Sequence, residues 1–225
     1  MAQPPADLQR PPWLEFIRRN IWFIAFAFGA LTLLVIRLSG MLMYVPDPPA
    51  VQFSLPTQYE LVDQQERPFT PKTLEGKVWV AGFVFTTCPS SCPAVTNAMK
   101  ELRERFDRYD LDIEMVSFTV DPAHDTPQVL REYMAEHELT HERWRFVTGD
   151  TEQVLTLVRK GFKLGVGERE ADVSGVAYDI AHSTRLALVD GSGGVRGTYS
   201  IDGEYGTDEI FERAQHVLRE MERAR

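Results

Sequence analysis

The chain has 225 residues, of which 44% are hydrophobic and 25% charged, as is ordinary for a globular protein. The formal net charge is −9, and residues 46–225 alone carry 20 basic and 31 acidic side chains. Because so acidic a domain would be repelled by a phosphate backbone, the composition argues against nucleic-acid binding.

The first long apolar segment is "IWFIAFAFGALTLLVI", residues 21–36, which contains no charged residue. The apolar stretch continues to Val45 with Arg37 as its only interruption, and a helix over residues 21–45 would span ~37 Å at ~1.5 Å per residue. A bilayer core is ~30 Å thick. We therefore predict a transmembrane anchor over residues 21–45. A cleaved signal peptide is the rival, but its apolar region would be shorter and a small-residue cleavage site would follow it.

Positive charge before this segment predicts its orientation. Arg10, Arg18 and Arg19 precede the span, so residues 1–20 should stay in the cytoplasm. The rest would lie in the periplasm of a bacterium, held by a single pass through the inner membrane. A mitochondrial presequence is disfavoured, because residues 1–20 include two acidic residues and no serine. The proline-rich residues 46–52 are predicted to form an extended linker to a domain at 53–225.

Strands and helices alternate along the predicted domain. Residues 53–63 suggest two short extended pieces or a hairpin, and residues 77–85 a strand buried on both faces. The remaining predicted elements are helices at 93–109, 126–138, 150–162 and 206–225, strands at 111–121 and 143–149, and a hairpin at 184–200. Such alternation implies a parallel central sheet, to which the hairpin adds antiparallel strands at one side. This order predicts a thioredoxin-like α/β fold, a central mixed sheet flanked by helices.

Both cysteines lie in "FTTCPSSCP", residues 85–93, where the first central strand gives way to its helix. In open α/β sheets this end of the strands is where sites form. Cys92 would lie in the first turn of the helix and Cys88 just before it, and the positive helix terminus lowers the pKa of thiols there. A structural disulfide, a redox pair and a soft-metal site are the three alternatives. The first would close too small a loop to restrict the unfolded chain much, and the second usually has two intervening residues rather than three.

A soft-metal site needs a third ligand, and His182 is the candidate. It lies just before the predicted closing hairpin, in a loop that a thioredoxin-like fold brings beside the cysteine-bearing helix terminus. Thioredoxins carry a cis-proline there, whereas no proline follows Pro127 in this chain. Two thiolates and one imidazole suit Cu(I). The alternative for His182 is a hydrogen-bonded surface group.

Other histidines and acidic residues receive simpler interpretations. "HELTH", residues 137–141, matches the zinc-protease signature, but a strand follows at once, so we predict a helix end and a loop instead. His124 and His216 are predicted to be solvated, with an auxiliary copper contact as the alternative for His124. Thr126 is the predicted N-cap of the helix at 126–138, with Pro127 at its first helical position. Asp121 and Asp125 are predicted to fix the turn before it and to help cap it at Thr126–Pro127.

Three motifs together resemble one family, the Sco/SenC copper chaperones of respiratory oxidase assembly. They are "FTTCPSSCP", "TVDPAHDTP" (119–127) and "DIAHSTRLALVD" (179–190), and the resemblance covers about residues 51–222 and includes the anchor. It implies that Cys88, Cys92 and His182 bind copper, for which Cu(I) is the expected oxidation state and Cu(II) the alternative. It also implies delivery of that copper to the binuclear copper site of cytochrome c oxidase subunit II.

The resemblance also sets the expected partners and alternatives. The partners would be the oxidase subunit, the membrane, and other periplasmic copper chaperones or thioredoxin-like reductases. The protein is then not an enzyme, unless Cys88 and Cys92 are the redox-active residues of a thiol–disulfide reductase; a redox or copper sensor is a third class. Ser90 and Ala181 stand where relatives usually carry acidic residues, which bears on Cu(II) affinity and docking more than on Cu(I) ligation.

Overall fold

The computed structural model describes residues 12–42, 48–87, 92–164, 170–171, 178–179, 184–202 and 205–224. The chain divides into two compact units, residues 1–46 and residues 47–225.

The first unit contains one long helix, α1, over Pro12–Leu42. Its segment Trp13–Arg37 has a mean hydropathy of 1.8, which makes it long and apolar enough to cross a membrane by length and composition. Helical geometry is interrupted at Asn20 (φ −109°, ψ 15°), whose side-chain Nδ2 donates to the carbonyl oxygen of Phe16 at 2.8 Å. The helix therefore begins before residue 21, inside the segment predicted as the cytoplasmic N-terminus.

The second unit is built on an eight-stranded sheet with the order β1-β10-β9-β4-β5-β6-β2-β3. A separate pair of two-residue strands, β7 and β8, forms its own small sheet. The strands are β1 (Phe53–Ser54), β2 (Leu61–Asp63), β3 (Pro68–Phe69), β4 (Val78–Val84), β5 (Ile113–Thr119), β6 (Trp144–Thr148), β7 (Glu170–Ala171), β8 (Tyr178–Asp179), β9 (Arg185–Val189) and β10 (Gly194–Ser200).

The sheet is mixed, as predicted, and the fold is thioredoxin-like. Strands β4, β5 and β6 are parallel, whereas β9, β10 and β1 continue the sheet antiparallel on one side. Antiparallel strands also flank the other side, where β2 pairs with β6 and β3 with β2, which the sequence did not predict. The hairpin alternative for residues 53–63 is wrong: β1 and β2 lie at opposite sides of the sheet, because each short strand pairs with a different edge.

Helices cover this sheet and connect its strands. They are α2 (Cys92–Arg108), α3 (Pro127–Glu136), α4 (Thr151–Thr156) and α5 (Gly206–Ala224), with a short 3₁₀ helix at Pro71–Leu74 and a π-helical turn at Leu157–Gly161. The single α-helix predicted over 150–162 is wrong in its second half. There the N–H of Phe162 bonds to the carbonyl of Leu157 at 3.0 Å, a wider turn that apolar periodicity does not distinguish from an α-turn.

Both faces of the central strand β4 are covered. A Cβ atom at Gly82 would lie 3.2 Å from the sulfur of Met99, so the glycine lets helix α2 approach this face closely. On the other face the ring of Phe162 packs edge-on against Trp79 and Phe83, with centroid distances of 6.0 and 5.0 Å. Residues of β4 are buried throughout, as the nearly continuous apolar run predicted.

Parallel pairing brings several chain segments to one edge of the sheet, which we call the carboxyl edge. Strands β4 and β5 end there at Val84 and Thr119. Strand β9 is antiparallel to β4, so it begins at the same edge, at Arg185. Helix α2 begins at Cys92, shortly after β4 ends.

Candidate metal centre

The described residues include chain neighbours of the predicted ligands, but not all of the ligands themselves. Cys88 and His182 lie outside the described residues, and of Cys92 the structure describes only its place as the first residue of α2. Among the residues that are described, no group of three or more His, Cys, Asp or Glu side chains could hold a metal ion.

Asp125 joins two strand ends directly beside the cysteine segment. Its carboxylate accepts hydrogen bonds from the backbone N–H of Thr86 at 3.2 Å and from the Thr86 hydroxyl at 2.5 Å. It also accepts one from the hydroxyl of Thr119 at 2.5 Å. Asp125 is fully buried, and burial raises the pKa of its carboxyl. The hydrogen bonds from Thr119 and Thr86 act in the opposite direction, but the effect of burial is larger. Because Thr86 is two residues before Cys88, this network holds the chain that leads into the cysteine motif.

The predicted helix-capping role of Asp125 is wrong, because its carboxylate is occupied by the two threonines. The prediction of Thr126 as N-cap is confirmed: its hydroxyl accepts the N–H of Val129 at 3.3 Å. The predicted turn is present: the carbonyl of Asp121 accepts the N–H groups of His124 and Asp125 at 3.0 and 2.9 Å.

Sequence reasoning missed Thr86 and Thr119. Each is a hydroxyl residue at or just beyond the end of a buried strand, which is a weak signal by itself. It becomes informative only when the parallel pairing of β4 and β5 places the two hydroxyls around one buried carboxylate.

A second missed contact lies one helical turn after Cys92. Thr96 is buried, and its hydroxyl lies 3.1 Å from the hydroxyl of Tyr133 on α3. This contact attaches the first turns of α2 to α3.

The "HELTH" segment does not form a zinc-protease helix. Helix α3 ends at Glu136, and Glu138 has a positive φ of 56°. His141 is used locally: its Nδ1 accepts the N–H of Arg143 at 3.1 Å, and its Nε2 lies 3.2 Å from a carboxylate oxygen of Asp107. The prediction of a helix end and a loop is confirmed.

Of the two histidines predicted to be solvated, only one is. His124 is exposed in the loop between β5 and α3. His216 on α5 is half-buried, and its Nδ1 has no hydrogen-bond partner among the described residues. Burial, and then the nearby charges of Arg219 and Arg213, lower the pKa of His216. The prediction failed because charged neighbours in sequence did not reveal how deeply α5 packs.

Comparison with known proteins finds a matching protein family and similar individual proteins. A model of the SCO1/SenC family matches residues 49–219. The SCO1 homologue of Bacillus subtilis is 29% identical over 155 residues, which cover 66% of this chain and 78% of the relative. A Stutzerimonas stutzeri protein whose name refers to copper binding is 36% identical over 143 residues, which cover 62% of this chain and 66% of the relative, just under two thirds.

Solved structures agree with this match. A SCO1/SenC family lipoprotein of Bacillus anthracis superposes with a TM-score of 0.62 at 29% identity, covering 77% of this chain and 98% of that one. The structure of BsSco, described with a disulfide switch and as a member of the Sco family of cytochrome c oxidase assembly proteins, gives a TM-score of 0.65 at 26% identity with the same coverage of 77% and 98%.

Proposed function

This chain belongs to the SCO1/SenC family, and on that premise we propose that it is a membrane-anchored copper metallochaperone. Cys88, Cys92 and His182 bind Cu(I), and the copper is delivered to the binuclear copper site of cytochrome c oxidase subunit II. The family of BsSco is one of cytochrome c oxidase assembly proteins, which supports the destination. The Stutzerimonas stutzeri relative is named for copper binding, which supports the cargo.

The observation that carries the proposal is the arrangement of the carboxyl edge. Helix α2 begins there with Cys92, and β9 begins there at Arg185, soon after His182. A chain extends by at most ~3.3–3.6 Å per residue, so His182 lies within about 11 Å of Arg185 and Cys88 within about 15 Å of Val84. Chain connectivity therefore allows the three side chains to converge on one ion.

The chemistry of the donor set fits Cu(I). Two soft thiolates with one imidazole are ligands that Cu(I) prefers over harder oxygen donors. Copper binding requires both thiols to be deprotonated, and the positive N-terminal end of α2 favours the thiolate of Cys92. The hydrogen bonds between Asp125 and Thr86 support this site by restraining the chain that precedes Cys88.

A thiol–disulfide reductase acting on the oxidase subunit is the second candidate, because BsSco is described with a disulfide switch. In that reaction the Cys88 and Cys92 thiols are oxidised to one disulfide, and a partner disulfide takes up the two electrons and two protons. Oxidation also removes two of the three proposed copper ligands, so the two activities exclude one another at any moment.

The test is a Cu(I) titration of the reduced full-length chain in detergent against a competing chelator, followed by copper-edge absorption to count ligands. We expect one tightly bound copper with two sulfur ligands and one nitrogen ligand. His182→Ala should weaken binding by more than the ~10–100-fold that loss of an outer-shell partner costs. The matched variant His124→Ala should bind as the wild type does, because His124 is exposed in a loop.

Two results would contradict the proposal. Wild-type affinity in His182→Ala would exclude the three-ligand site. Absence of tight copper binding, together with a readily reduced Cys88–Cys92 disulfide, would favour the reductase.

The proposed location is the bacterial inner membrane, with residues 1–20 in the cytoplasm, residues 21–45 as the anchor and the domain at 53–225 in the periplasm. Helix α1 is apolar enough to span a bilayer, and Arg10, Arg18 and Arg19 favour a cytoplasmic N-terminus. Protease added to spheroplasts should digest the domain. If the domain is protected until the membrane is lysed, the orientation is the opposite of the one proposed.

A further inference from the structure

Two exposed tyrosines lie where the end of α2 meets the beginning of α5. Tyr109 and Tyr205 are 61% and 65% exposed, and the next most exposed large apolar side chain among the described residues outside α1 is Val51, at 48%. Tyr109 directly follows α2, and Tyr205 directly precedes α5. The two helices are in contact, since the hydroxyl of Thr207 donates to Glu101 at 2.8 Å. The two tyrosines therefore flank one contacting pair of segments, residues 101–110 and 205–213.

Tyr109 is held in place although it is exposed. Its ring lies 5.6 Å from the ring of the buried Phe211, and its backbone N–H bonds to the carbonyl of Arg105 at 3.1 Å. Asp110 has a φ of 50°, which ends the helix there. A rigid aromatic side chain loses little conformational entropy when a partner covers it, which is why tyrosine is effective in binding surfaces.

Acidic side chains outnumber basic ones on these two segments. The positive charge of Arg105 is already paired within the chain, because its guanidinium lies 2.7 Å from the carboxylate of Asp208. The other arginines on these segments are Arg103, which is buried, Arg108 and Arg213. The exposed carboxylates on the same segments are those of Glu101, Glu104, Asp107, Asp110, Asp208, Glu209 and Glu212. The surface is therefore negative, as is the whole domain.

The contact of Arg105 with Phe211 shows how a cation fits this surface. The guanidinium carbon of Arg105 lies 4.0 Å from the centre of the Phe211 ring while the same group pairs with Asp208. A cation above an aromatic ring with a carboxylate beside it is doubly stabilised. Tyr109 and Tyr205 present exposed rings on the same acidic segments, and no cation of this chain is found over either ring among the described residues.

We propose that this surface, the tyrosine face, is a docking site for a basic segment of a protein partner. Lysine or arginine side chains of the partner stack on Tyr109 and Tyr205 and pair with the surrounding carboxylates. Charge selects this occupant: a second copy would bring acid against acid, and anionic lipid would be repelled. Tyr109 lies about 25 Å along α2 from Cys92 at ~1.5 Å per residue, so a partner docked there sits away from the carboxyl edge. The inference needs no metal and does not depend on the copper proposal.

The experiment measures fluorescence anisotropy of a labelled synthetic peptide of alternating arginine and glycine, titrated with the copper-free full-length chain in neutral detergent. We expect the double variant Tyr109→Ala/Tyr205→Ala to bind about tenfold more weakly, from roughly threefold for each exposed cation–π contact. Phenylalanine at both positions should keep affinity within about twofold, because the ring supplies the attraction.

A matched pair of charge variants separates docking from general attraction to an acidic protein. Glu104→Gln removes a carboxylate of the tyrosine face, whereas Glu136→Gln removes an exposed carboxylate on α3. The first should weaken peptide binding more than the second. Equal effects of the two, or wild-type affinity in the double alanine variant, would overturn the proposal. So would tyrosine-dependent binding to anionic vesicles or tyrosine-dependent dimerisation.

Copper titration of the same variants keeps the two proposals apart. The double alanine variant should bind Cu(I) as the wild type does, because neither tyrosine is a proposed ligand. Failure of copper binding in the wild type with intact peptide binding would overturn the chaperone function alone. Unchanged urea midpoints would show that the exposed substitutions leave the fold intact.

Discussion

The carboxylate of Asp125 accepts hydrogen bonds from both the backbone N–H and the hydroxyl of Thr86, two residues before Cys88. The same carboxylate accepts the hydroxyl of Thr119, so one buried side chain fastens the ends of β4 and β5 together. Fold stability and the presentation of the cysteine segment therefore share one residue.

Replacing Asp125 by alanine should destabilise the domain. The substitution leaves three donors on Thr86 and Thr119 without their acceptor in a buried place, which should lower the free energy of unfolding by about 2–4 kcal/mol. Urea unfolding measures this loss. Glu136→Gln, an exposed change on α3, is the control and should stay within about 0.5 kcal/mol of the wild type.

The pKa of Asp125 gives this contribution a pH dependence. Burial raises the pKa above its ordinary value of 3.8, so the folded state binds the proton more tightly than the unfolded state. The stabilisation linked to this proton is fully present below that ordinary value and is lost as the pH rises through the folded pKa. The difference in unfolding free energy between the wild type and Asp125→Asn should therefore shrink from about pH 4 to pH 8. A difference that grows over this range would contradict the assignment.

Replacing Arg196 should lower the free energy of unfolding strongly. Its buried guanidinium donates to Asp190 at 2.7 Å, to Glu220 at 2.6 Å and to the carbonyl of Pro49 at 2.6 Å. Arg196→Ala leaves the buried Asp190 without its charged partner, which should cost about 3–5 kcal/mol. Arg196→Lys keeps the charge but not the fork of donors, so an intermediate loss is expected in the same urea measurement.

The loss of unfolding free energy caused by Arg196→Ala should grow as the pH rises, whereas the stabilisation linked to the proton of Asp125 shrinks. Burial alone would raise the pKa of Asp190, but hydrogen bonds from Ser192, Arg196 and Gly194 outweigh it and lower the pKa. Such a group stabilises the fold above its ordinary pKa of 3.8 and loses that effect as the pH falls through the folded pKa. The difference between wild type and Arg196→Ala should thus be largest near neutral pH, and a constant difference down to about pH 3 would refute the linkage.

Two glycines of the β9–β10 turn should differ in their tolerance of alanine. A Cβ at Gly191 would contact Met221 and lie 2.7 Å from two backbone atoms of Gly76, which cannot easily move. At Gly193 the Cβ would meet nothing within 4 Å, although its φ of 79° is strained for alanine. Thermal unfolding should show a loss of about 1–3 kcal/mol for Gly191→Ala and about 1 kcal/mol for Gly193→Ala. The reverse order would mean that the turn relaxes around Gly191.

Much of the fold was predictable from local pattern. The apolar run at 77–85 and the helical spacing at 93–109 predicted β4 and α2 closely, because both elements are buried along a regular face. The helix start at Pro127 followed from Thr126 and the proline, since capping involves only neighbouring residues. The motifs around Cys88, Cys92 and His182 predicted the family, which the match to the SCO1/SenC model confirms.

Other features depended on residues far apart in the chain. Pairing of β1 with β10 and of β2 with β6 could not be predicted from two-residue and three-residue strands, whose partners lie more than eighty residues away. Nor could the sequence show that the carboxylate of Asp125 is shared by Thr86 and Thr119, or that α5 half-buries His216. What the sequence alone determined is the central strands and the main helices, and it named the candidate copper ligands, because periodicity, capping and ligand chemistry are properties of neighbouring residues and side-chain types. Only the tertiary structure decided which strands pair and which polar groups lose their water, because burial depends on what the rest of the chain places beside them.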